Sequence, residues 1–324
     1  MISGGKMVKV TVSDYEQLSG DTISQIKKVG DGSIITRFDR TPIPKNGTDV
    51  ICPHFLELKW ATGCPYNCAW CYLQGTFRFQ EYKKTPRLKD EEKIKVAVDS
   101  LLSDDQNKTP EILNAGELSD SFMTEGTENP FSKWILKLLK GQDRYKVLFV
   151  TKSDKVDDIL SVSNTENCIV SFSVNAPVVS KKWEHGAVDP ISRLNAAKKL
   201  SDAGFTVRLR LDPMVPIDGW KKEYDSFVDA IFDRFTPDRI TTGSLRGLQS
   251  TINNSPDRTW TPYLNERSNW GRKVDYETRL EMYRALIDKL NEKGFKEFAL
   301  CKETVDCWNA LGLDYKKIRC NCTL

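Results

Sequence analysis

The chain has 324 residues, 39% of them hydrophobic and 29% charged, which is enough for one large hydrophobic core or two smaller ones. Lys and Arg total 48 and Asp and Glu total 45, so the formal net charge of +3 argues against a polybasic nucleic-acid coat or an acidic tail protein. No segment reaches the roughly 18 apolar residues of a membrane span. The N-terminus lacks the apolar core of a signal peptide, so we expect a cytoplasmic enzyme.

Cysteine is the informative residue type, because nine cysteines accompany only two histidines. An odd number in a chain expected to be intracellular argues against a disulfide framework. Cys64, Cys68 and Cys71 lie within eight residues, and four more cysteines lie within the last 24 residues. Cysteine grouped in this way in a reducing compartment predicts metal binding.

Strand-like and helix-like segments alternate from about residue 54 onward. The predicted strands are 54–62, 111–116, 145–151, 168–175, 206–215, 239–244 and 295–300. Amphipathic runs with helical spacing begin near Ile94, Phe131, Tyr224 and Tyr276, and Gly294 is a predicted C-cap for the last of them. Repeated strand–helix units predict an α/β protein with a partial or near-complete parallel (β/α) TIM-type barrel. We assign 1–53 to an N-terminal extension, 54–294 to the barrel, and 295–324 to a C-terminal strand and Cys-containing tail.

Two predicted strands alternate apolar and polar residues. The polar sets are Arg208, Arg210 and Asp212 on one strand and Ser171, Ser173 and Asn175 on the other. Period-2 alternation places each polar set on one face. The outer face of a barrel packs on helices, so the polar face of these strands points into the lumen. The lumen of an ordinary barrel is apolar. A polar lumen favours a bound polar ligand, and an open sheet with one solvated face is the alternative.

The sequence Cys-Pro-Tyr-Asn-Cys-Ala-Trp-Cys (64–71) directly follows the first predicted strand of the barrel. Three thiolates at this spacing can bind one iron–sulfur cluster, which usually has four cysteine ligands. Three ligands leave one iron open, and an open coordination site is typical of a metal centre that takes part in chemistry. The alternative is a zinc knuckle completed by His54, Cys52 or a distal cysteine, although no second Cys-x2-Cys arm lies at the usual distance.

This Cys-x3-Cys-x2-Cys motif resembles the signature of the radical S-adenosylmethionine (SAM) superfamily. The flanking residues, Ala-Thr-Gly-Cys at 61–64 and Cys-Tyr-Leu-Gln at 71–74, resemble its spore photoproduct lyase branch, and the likeness covers roughly residues 55–248. The resemblance implies a 4Fe-4S cluster on Cys64, Cys68 and Cys71 whose fourth iron binds the methionine moiety of SAM. Reduction would then yield a 5′-deoxyadenosyl radical that abstracts hydrogen from a substrate. A flavodoxin- or ferredoxin-type electron donor is the implied partner.

The resemblance also implies a set of cofactor-binding residues. They are Trp70, Gly116, Glu117, Ser119, Lys152, Ser173, Asn175 and Arg210. Trp70 corresponds to a residue near the adenine, and Glu117 belongs to a segment similar to the Gly-Gly-Glu motif that holds the methionine ammonium. Arg210 could bind the methionine carboxylate, or it could form a structural ion pair with Asp212 or Glu117.

The chain departs from spore photoproduct lyase at the hydrogen-donating cysteine of that enzyme. If residues 118–120 match its Thr-Ser-Asp, the position of that cysteine is Glu117 here. Trp70 replaces one relay tyrosine, whereas Tyr72 matches the second and is the candidate catalytic residue. Because carboxylates do not readily donate hydrogen atoms, we expect a lyase-like relative acting on another nucleobase, nucleotide or nucleic acid. The alternatives are a radical SAM enzyme acting on a peptide or other small molecule with an auxiliary cluster, and a zinc-stabilised nucleic-acid-binding protein.

Two further segments are candidate substrate contacts. Residues 77–89 carry five basic residues and three aromatic residues against one acid, which is typical of nucleic-acid contacts and also of solvated loops. Residues 248–274 follow a barrel strand and contain Trp260, Tyr263 and Trp270. Connections of this length are usually functional or disordered. We expect exposed tryptophans here, which argue against disorder and favour a substrate lid.

The tail contains Cys301, Cys307, Cys320 and Cys322, enough thiolates for a zinc ion or an auxiliary iron–sulfur cluster. Their irregular spacing is weak evidence for zinc, and unpaired thiols are the alternative. The remaining cysteines, Cys52 and Cys168, are interpreted as buried thiols in or before strands.

Overall fold

The computed structural model describes residues 7–105, 107 and 109–324. Within this part of the chain, ten strands form one mixed sheet. In chain order they are β1 (Val10–Glu16), β2 (Thr22–Val29), β3 (Ile35–Phe38), β4 (Phe55–Leu58), β5 (Glu111–Asn114), β6 (Tyr145–Thr151), β7 (Cys168–Val174), β8 (Thr206–Met214), β9 (Arg239–Ser244) and β10 (Phe298–Leu300). Each strand neighbours the next one in the chain, and β1 and β10 form the two edges.

Helices cover the sheet between its strands. In the described residues they are α1 (Leu73–Thr76), α2 (Glu91–Leu102), α3 (Phe131–Leu138), α4 (Asp157–Leu160), α5 (Pro177–Trp183), α6 (Pro190–Asp202), α7 (Trp220–Phe232), α8 (Gln249–Asn254), α9 (Tyr276–Glu292) and α10 (Val305–Ala310), with short 3-10 turns at Thr165–Asn167, Thr261–Tyr263 and Tyr315–Lys317. None of these helices combines the length and the apolar character that crossing a membrane requires.

The seven strands from β4 to β10 are parallel to one another. Examples of their pairs are Leu113↔Val147 between β5 and β6 and Phe172↔Leu209 between β7 and β8. Seven parallel strands linked by helices form a partial (β/α) barrel, because the described edge strands β1 and β10 are not paired with each other. The predicted fold class is therefore confirmed, and each predicted strand has an observed counterpart that differs mainly at its ends.

The predicted N-terminal extension continues this sheet. Strand β3 pairs antiparallel with β4, as in Ile35↔Leu58, and β2 and β1 follow in antiparallel order. Residues 1–6 of the extension lie outside the described residues. Further short strands pair locally outside the main sheet: Ala61–Thr62 with Arg87–Leu88, Asn67–Cys68 with Glu184–His185, and Arg246–Gly247 with Gly271–Lys273, which also pairs with Glu266–Ser268.

The amphipathic patterns form the helices for identifiable reasons. In α2, Ile94 and Leu101 are buried against the sheet, and the Asp90 side chain caps the helix by accepting from the Lys93 amide. In α9 the Asp275 side chain caps the first turn. Beyond its last residue, Gly294 adopts φ = +70°, as its predicted role as a C-cap requires.

The polar lumen is filled in part by the C-terminal tail. The Asn321 side chain donates to Ser171 Oγ at 2.7 Å and accepts from Thr241 Oγ1 at 2.7 Å. The Arg208 guanidinium donates to the carbonyl oxygens of Asn321 and Thr323. The polar lumen was expected to bind a ligand. At Ser171 and Arg208 the hydrogen-bond partners are instead residues of the C-terminal tail.

Candidate active site

A cavity of about 610 Å³ lies at the carboxyl ends of the parallel strands. In a parallel barrel this end of the sheet is where catalytic residues collect. Thirteen of the predicted site residues line the cavity: Cys64, Cys68, Trp70, Cys71, Tyr72, Gly116, Glu117, Ser119, Lys152, Ser173, Arg210, Cys301 and Cys322. Three others, Asn175, Cys307 and Cys320, are not among its lining residues.

The loop that carries the first three cysteines is braced by its neighbours. Gly63 precedes it with φ = +84°, and a Cβ there would lie 2.4 Å from the Thr85 carbonyl oxygen, so glycine is required. The Cys64 amide donates to the Lys84 carbonyl at 2.9 Å, and the Lys84 ammonium donates to the Tyr66 carbonyl. The basic segment predicted as a nucleic-acid contact thus has a structural role at Lys84.

The three thiols face one cavity and are electrostatically coupled. Burial, with a smaller contribution from the nearby Cys71, raises the pKa values of Cys64 and Cys68 to about 12. Among the described residues, no three or more Cys, His, Asp or Glu side chains converge on a single metal ion. Each cysteine of a four-iron cluster binds its own iron, so three thiols that line one cavity fit a cluster. The positive charge of the irons would stabilise the deprotonated thiolates. This arrangement gives no support to the zinc-knuckle alternative.

Glu117 is oriented by the end of β5. A Cβ on Gly116 would lie 2.4 Å from the Val150 Cβ on the next strand, so only glycine allows this close approach. Asn114 accepts from the Gly116 amide at 2.9 Å and donates to Glu117 Oε1 at 3.1 Å. The Tyr72 hydroxyl donates to the Glu117 carbonyl oxygen and lies 3.3 Å from Glu117 Oε2. The candidate catalytic tyrosine and the predicted ammonium-binding carboxylate are therefore in contact.

Three polar atoms of residues on the cavity wall lack a protein partner. Ser119 Oγ, Arg210 Nε and Thr251 Oγ1 are buried and have no hydrogen-bond partner in the described residues. Neither ion pair considered for Arg210 is formed, because Asp212 binds Arg246 at 2.7 Å instead. Arg210 Nη2 donates to Cys322 Sγ at 3.3 Å. Since buried polar groups are normally hydrogen-bonded, Ser119 and Arg210 are suited to hold a polar ligand.

Lys152 is held in a buried ion-pair network. Its ammonium donates to Ser173 Oγ at 2.6 Å and to Glu184 Oε1 at 2.8 Å, and Arg193 binds the other oxygen of Glu184 at 2.7 Å. Burial opposes ionisation of Glu184, but the two cations hold its pKa at about 2. Sequence reasoning missed Glu184 and Arg193, since neither belongs to a motif. They position Lys152 and Ser173 at the cavity wall.

Asn175 has a structural environment. It is fully buried, its amide donates to the Pro213 carbonyl at 2.7 Å, and its oxygen accepts from the Tyr224 hydroxyl at 3.1 Å. The predicted contact between Asn175 and the cofactor finds no support in the cavity lining.

Among the described residues, the four tail cysteines do not converge on a single metal ion. Cys307 and Cys320 are buried in a small hydrophobic cluster around Trp308, against which Cys322 packs. Cys301 and Cys322 line the cavity, whereas Cys307 and Cys320 do not. Cys320 is buried and hydrogen-bonds the Cys322 sulfur, which together with Arg210 lowers the pKa of Cys322. Cys52, interpreted from the sequence as a simple buried thiol, also lines the cavity. The predicted four-cysteine metal site is thus not supported.

The predicted lid is an ordered, partly buried segment. Trp260 is completely buried and its indole donates to the Asp257 carbonyl at 2.8 Å, so the expectation that it is exposed is wrong. Trp270 sits on the local hairpin and lines the cavity beside Asn269. Within the described residues, the segment contributes this tip and its first turn, through Leu248 and Thr251, to the candidate site.

Comparison with known proteins identifies the family. Residues 55–245, more than half of the chain, match the family model described as spore photoproduct lyase. The chain belongs to the spore photoproduct lyase family. Within the matched residues lie the cysteine triplet and most of the predicted cofactor positions, in agreement with the resemblance inferred from the motifs.

Curated members of the spore photoproduct lyase family are distant in sequence. The spore photoproduct lyase of Clostridium acetobutylicum is 26% identical over 185 residues, which cover 55% of this chain and 52% of that protein. The Bacillus subtilis enzyme is 29% identical over 170 residues, covering 52% and 48%. The chain therefore spans about half the length of the curated relatives it matches.

Solved structures of spore photoproduct lyase share the fold. The structure complexed with dinucleoside spore photoproduct aligns with a TM-score of 0.64 at 19% identity over 76% of this chain and 75% of that chain. A mutant with bound AdoMet and the same dinucleoside gives 0.63 at 20% identity, over 76% and 75%. At this identity the likeness establishes the partial barrel.

Proposed function

We propose that this chain is a radical SAM enzyme of lyase-like type whose substrate is a nucleobase, a nucleotide or a nucleic acid. The observation that carries the proposal is the placement of Cys64, Cys68 and Cys71 on the wall of one 610 Å³ cavity. When bound there, a reduced 4Fe-4S cluster would supply the electron that cleaves SAM and so generates the 5′-deoxyadenosyl radical. The activity requires an external one-electron donor, for which a flavodoxin- or ferredoxin-type protein is suited.

The chain's own residues provide a binding site for SAM beside the cysteines. The Glu117 carboxylate, oriented by Asn114, is available for the methionine ammonium. The buried, unpartnered Nε of Arg210 is available for the methionine carboxylate. Trp70, whose ring centroid lies 5.7 Å from that of Trp183, offers a fixed aromatic surface for the adenine.

The nature of the wall supports a nucleotide-type substrate. Aromatic side chains and an excess of cations line the cavity, with five basic residues (Arg40, Lys152, Arg210, Arg246 and Lys302) against three acidic ones (Glu117, Asp120 and Asp212). Solved relatives are described with a dinucleoside spore photoproduct, a ligand of this chemical class. Glu117 stands where the hydrogen-donating cysteine of spore photoproduct lyase is expected, which argues for a different lesion or modification.

Anaerobic reconstitution tests the proposal. The wild-type chain should bind about four irons and release 5′-deoxyadenosine from SAM when dithionite is added. Cys64→Ala should lose both properties. Cys168→Ala is the control, because Cys168 is a free cysteine buried in β7 that does not line the cavity. Release of 5′-deoxyadenosine by Cys64→Ala would contradict the proposal, as would zinc without iron or sulfide in the wild-type protein.

A further inference from the structure

Lys302 is a buried cation that follows the last strand of the sheet. Its residue is only 8% exposed, and it adopts φ = +51°, an unusual conformation for lysine. Its ammonium donates to Thr41 Oγ1 and lies 3.7 Å from the ring centroid of Trp270 and 4.9 Å from that of Phe38. The side chain is therefore fixed among a hydroxyl group and two aromatic rings.

No carboxylate neutralises Lys302. Among the described residues, no acidic side chain lies within 4 Å of its ammonium, whereas Arg246, Lys273 and Arg279 each bind a carboxylate. The adjacent Glu303 is engaged by Lys273 at 3.4 Å and Arg279 at 3.2 Å. The Cys52 thiol also faces the ammonium, and burial raises the pKa of this thiol, so it supplies no negative charge. Cation–π contacts, one hydroxyl and this thiol compensate only part of the cost of removing an ammonium from water. A buried charge of this kind normally has a counter-ion, so the missing anion is expected from a ligand.

The surroundings of Lys302 indicate what that ligand is. Lys302, Arg40, Asn269, Phe38 and Trp270 all line the cavity that holds the cysteine triplet. Arg40 is exposed and has no salt bridge to a described residue, so it is a second free cation at the same wall. Two cations beside aromatic rings suit a phosphate attached to a planar base.

We propose that Lys302 and Arg40 bind a phosphate group of the substrate, with the attached nucleobase against Phe38 and Trp270. This proposal rests on the proposed function, which makes the cavity a substrate site. It narrows the substrate to a nucleotide or a nucleic-acid strand. All of these residues lie outside residues 55–245, which match the family model. The flanking segments of this chain thus form a phosphate subsite beside the matched region.

Binding measurements on the full reconstituted chain test the subsite without turnover. The probes are the nucleoside 5′-monophosphates, the corresponding nucleosides, inorganic phosphate, a short single-stranded oligonucleotide and SAM. Wild-type protein should bind at least one nucleotide or the oligonucleotide about tenfold or more tightly than the matching nucleoside, because charge-assisted bonds to phosphate are strong. Preference between mononucleotide and oligonucleotide identifies which source of phosphate is used.

Lys302→Met is the decisive variant, since methionine keeps most of the side-chain volume but removes the charge. It should weaken nucleotide or oligonucleotide binding about tenfold and leave nucleoside and SAM binding unchanged. Its melting temperature should be equal to or above that of the wild type, because an unpaired buried charge is removed. Lys222→Met, at an exposed lysine without a described partner, is the matched control and should change nothing. Arg40→Ala tests the same subsite from the surface if Lys302→Met fails to fold.

Three outcomes would overturn the subsite. They are equal affinity of wild-type protein for nucleotides and nucleosides, unchanged nucleotide binding by Lys302→Met and Arg40→Ala, and loss of SAM binding instead of nucleotide binding. The last outcome would place Lys302 in the cofactor site. A chain that binds nucleotides through Lys302 but never cleaves SAM would refute the proposed function while leaving the phosphate subsite intact.

Discussion

The side-chain amide of Asn321 donates to the hydroxyl of Ser171 at 2.7 Å, joining two residues 150 positions apart in the chain. The same amide donates to the Leu209 carbonyl at 2.9 Å, and the Asn321 oxygen accepts from Thr241. The C-terminal tail therefore hydrogen-bonds β7, β8 and β9 from inside the sheet. These strands also carry or adjoin Ser173 and Arg210, so the tail supports the wall of the candidate active site.

Asn321→Ala should lower the free energy of unfolding by about 2–4 kcal/mol, because buried partners on three strands lose their hydrogen bonds. Chemical denaturation followed by circular dichroism measures the change. Asn309→Ala is the control, since Asn309 is exposed on α10 and its replacement should cost less than about 0.5 kcal/mol. Equal stability of the two variants would show that the tail does not support the sheet.

Gly116→Ala should weaken SAM binding about tenfold or more, because its Cβ would collide with Val150 and displace Glu117. Equilibrium dialysis with labelled SAM measures the effect. The double variant Gly116→Ala/Val150→Gly removes the Val150 Cβ that the new side chain would meet, and it should recover part of the affinity. Full affinity in the single variant would mean that the close approach of the two strands does not position Glu117.

Glu125 should make the protein less stable as pH rises. It is 1% exposed, and burial raises its pKa from 4.5 to about 7 despite hydrogen bonds from Ser132. Between these two values the unfolded chain has already lost the proton that the folded chain retains, so the free energy of unfolding falls by about 3 kcal/mol. Urea titrations at pH 5 and pH 8 measure the difference. Glu125→Gln, which cannot ionise, should flatten this part of the profile, and an unchanged slope would contradict the assignment.

The tail cysteines should not add iron to the protein. Because Cys307 is separated from the cavity and no described group converges on a metal ion, we expect about four irons per chain and no change in Cys307→Ala. Iron and sulfide analysis after anaerobic reconstitution measures this. A wild-type value near eight irons, falling to four in a variant without Cys301, Cys320 and Cys322, would establish an auxiliary cluster after all.

Local patterns determined much of the fold and the centre of the site. Local patterns predicted each parallel strand and the helices α2, α3, α7 and α9, since the period of side-chain direction is set by backbone geometry alone. The helix α6, Pro190–Asp202, was not among the predicted helices. The cysteine spacing identified one loop, and the resemblance to the spore photoproduct lyase branch assigned Glu117 and Lys152. These residues lie together in the structure because parallel strands end at the same edge. These signals require no knowledge of distant contacts.

Other features of the site depend on contacts between distant segments, and only the tertiary structure decided them. Burial of Trp260, the environment of Asn175 and the absence of Cys307 from the cavity lining depend on packing between segments far apart in the chain. The tail that fills the lumen and the unpaired charge of Lys302 depend on such contacts too. The sequence by itself determined which residues could hold a cluster and SAM. Whether a polar side chain meets a ligand or another part of the protein was decided only by folding, because a hydrogen-bond partner can come from any position in the chain.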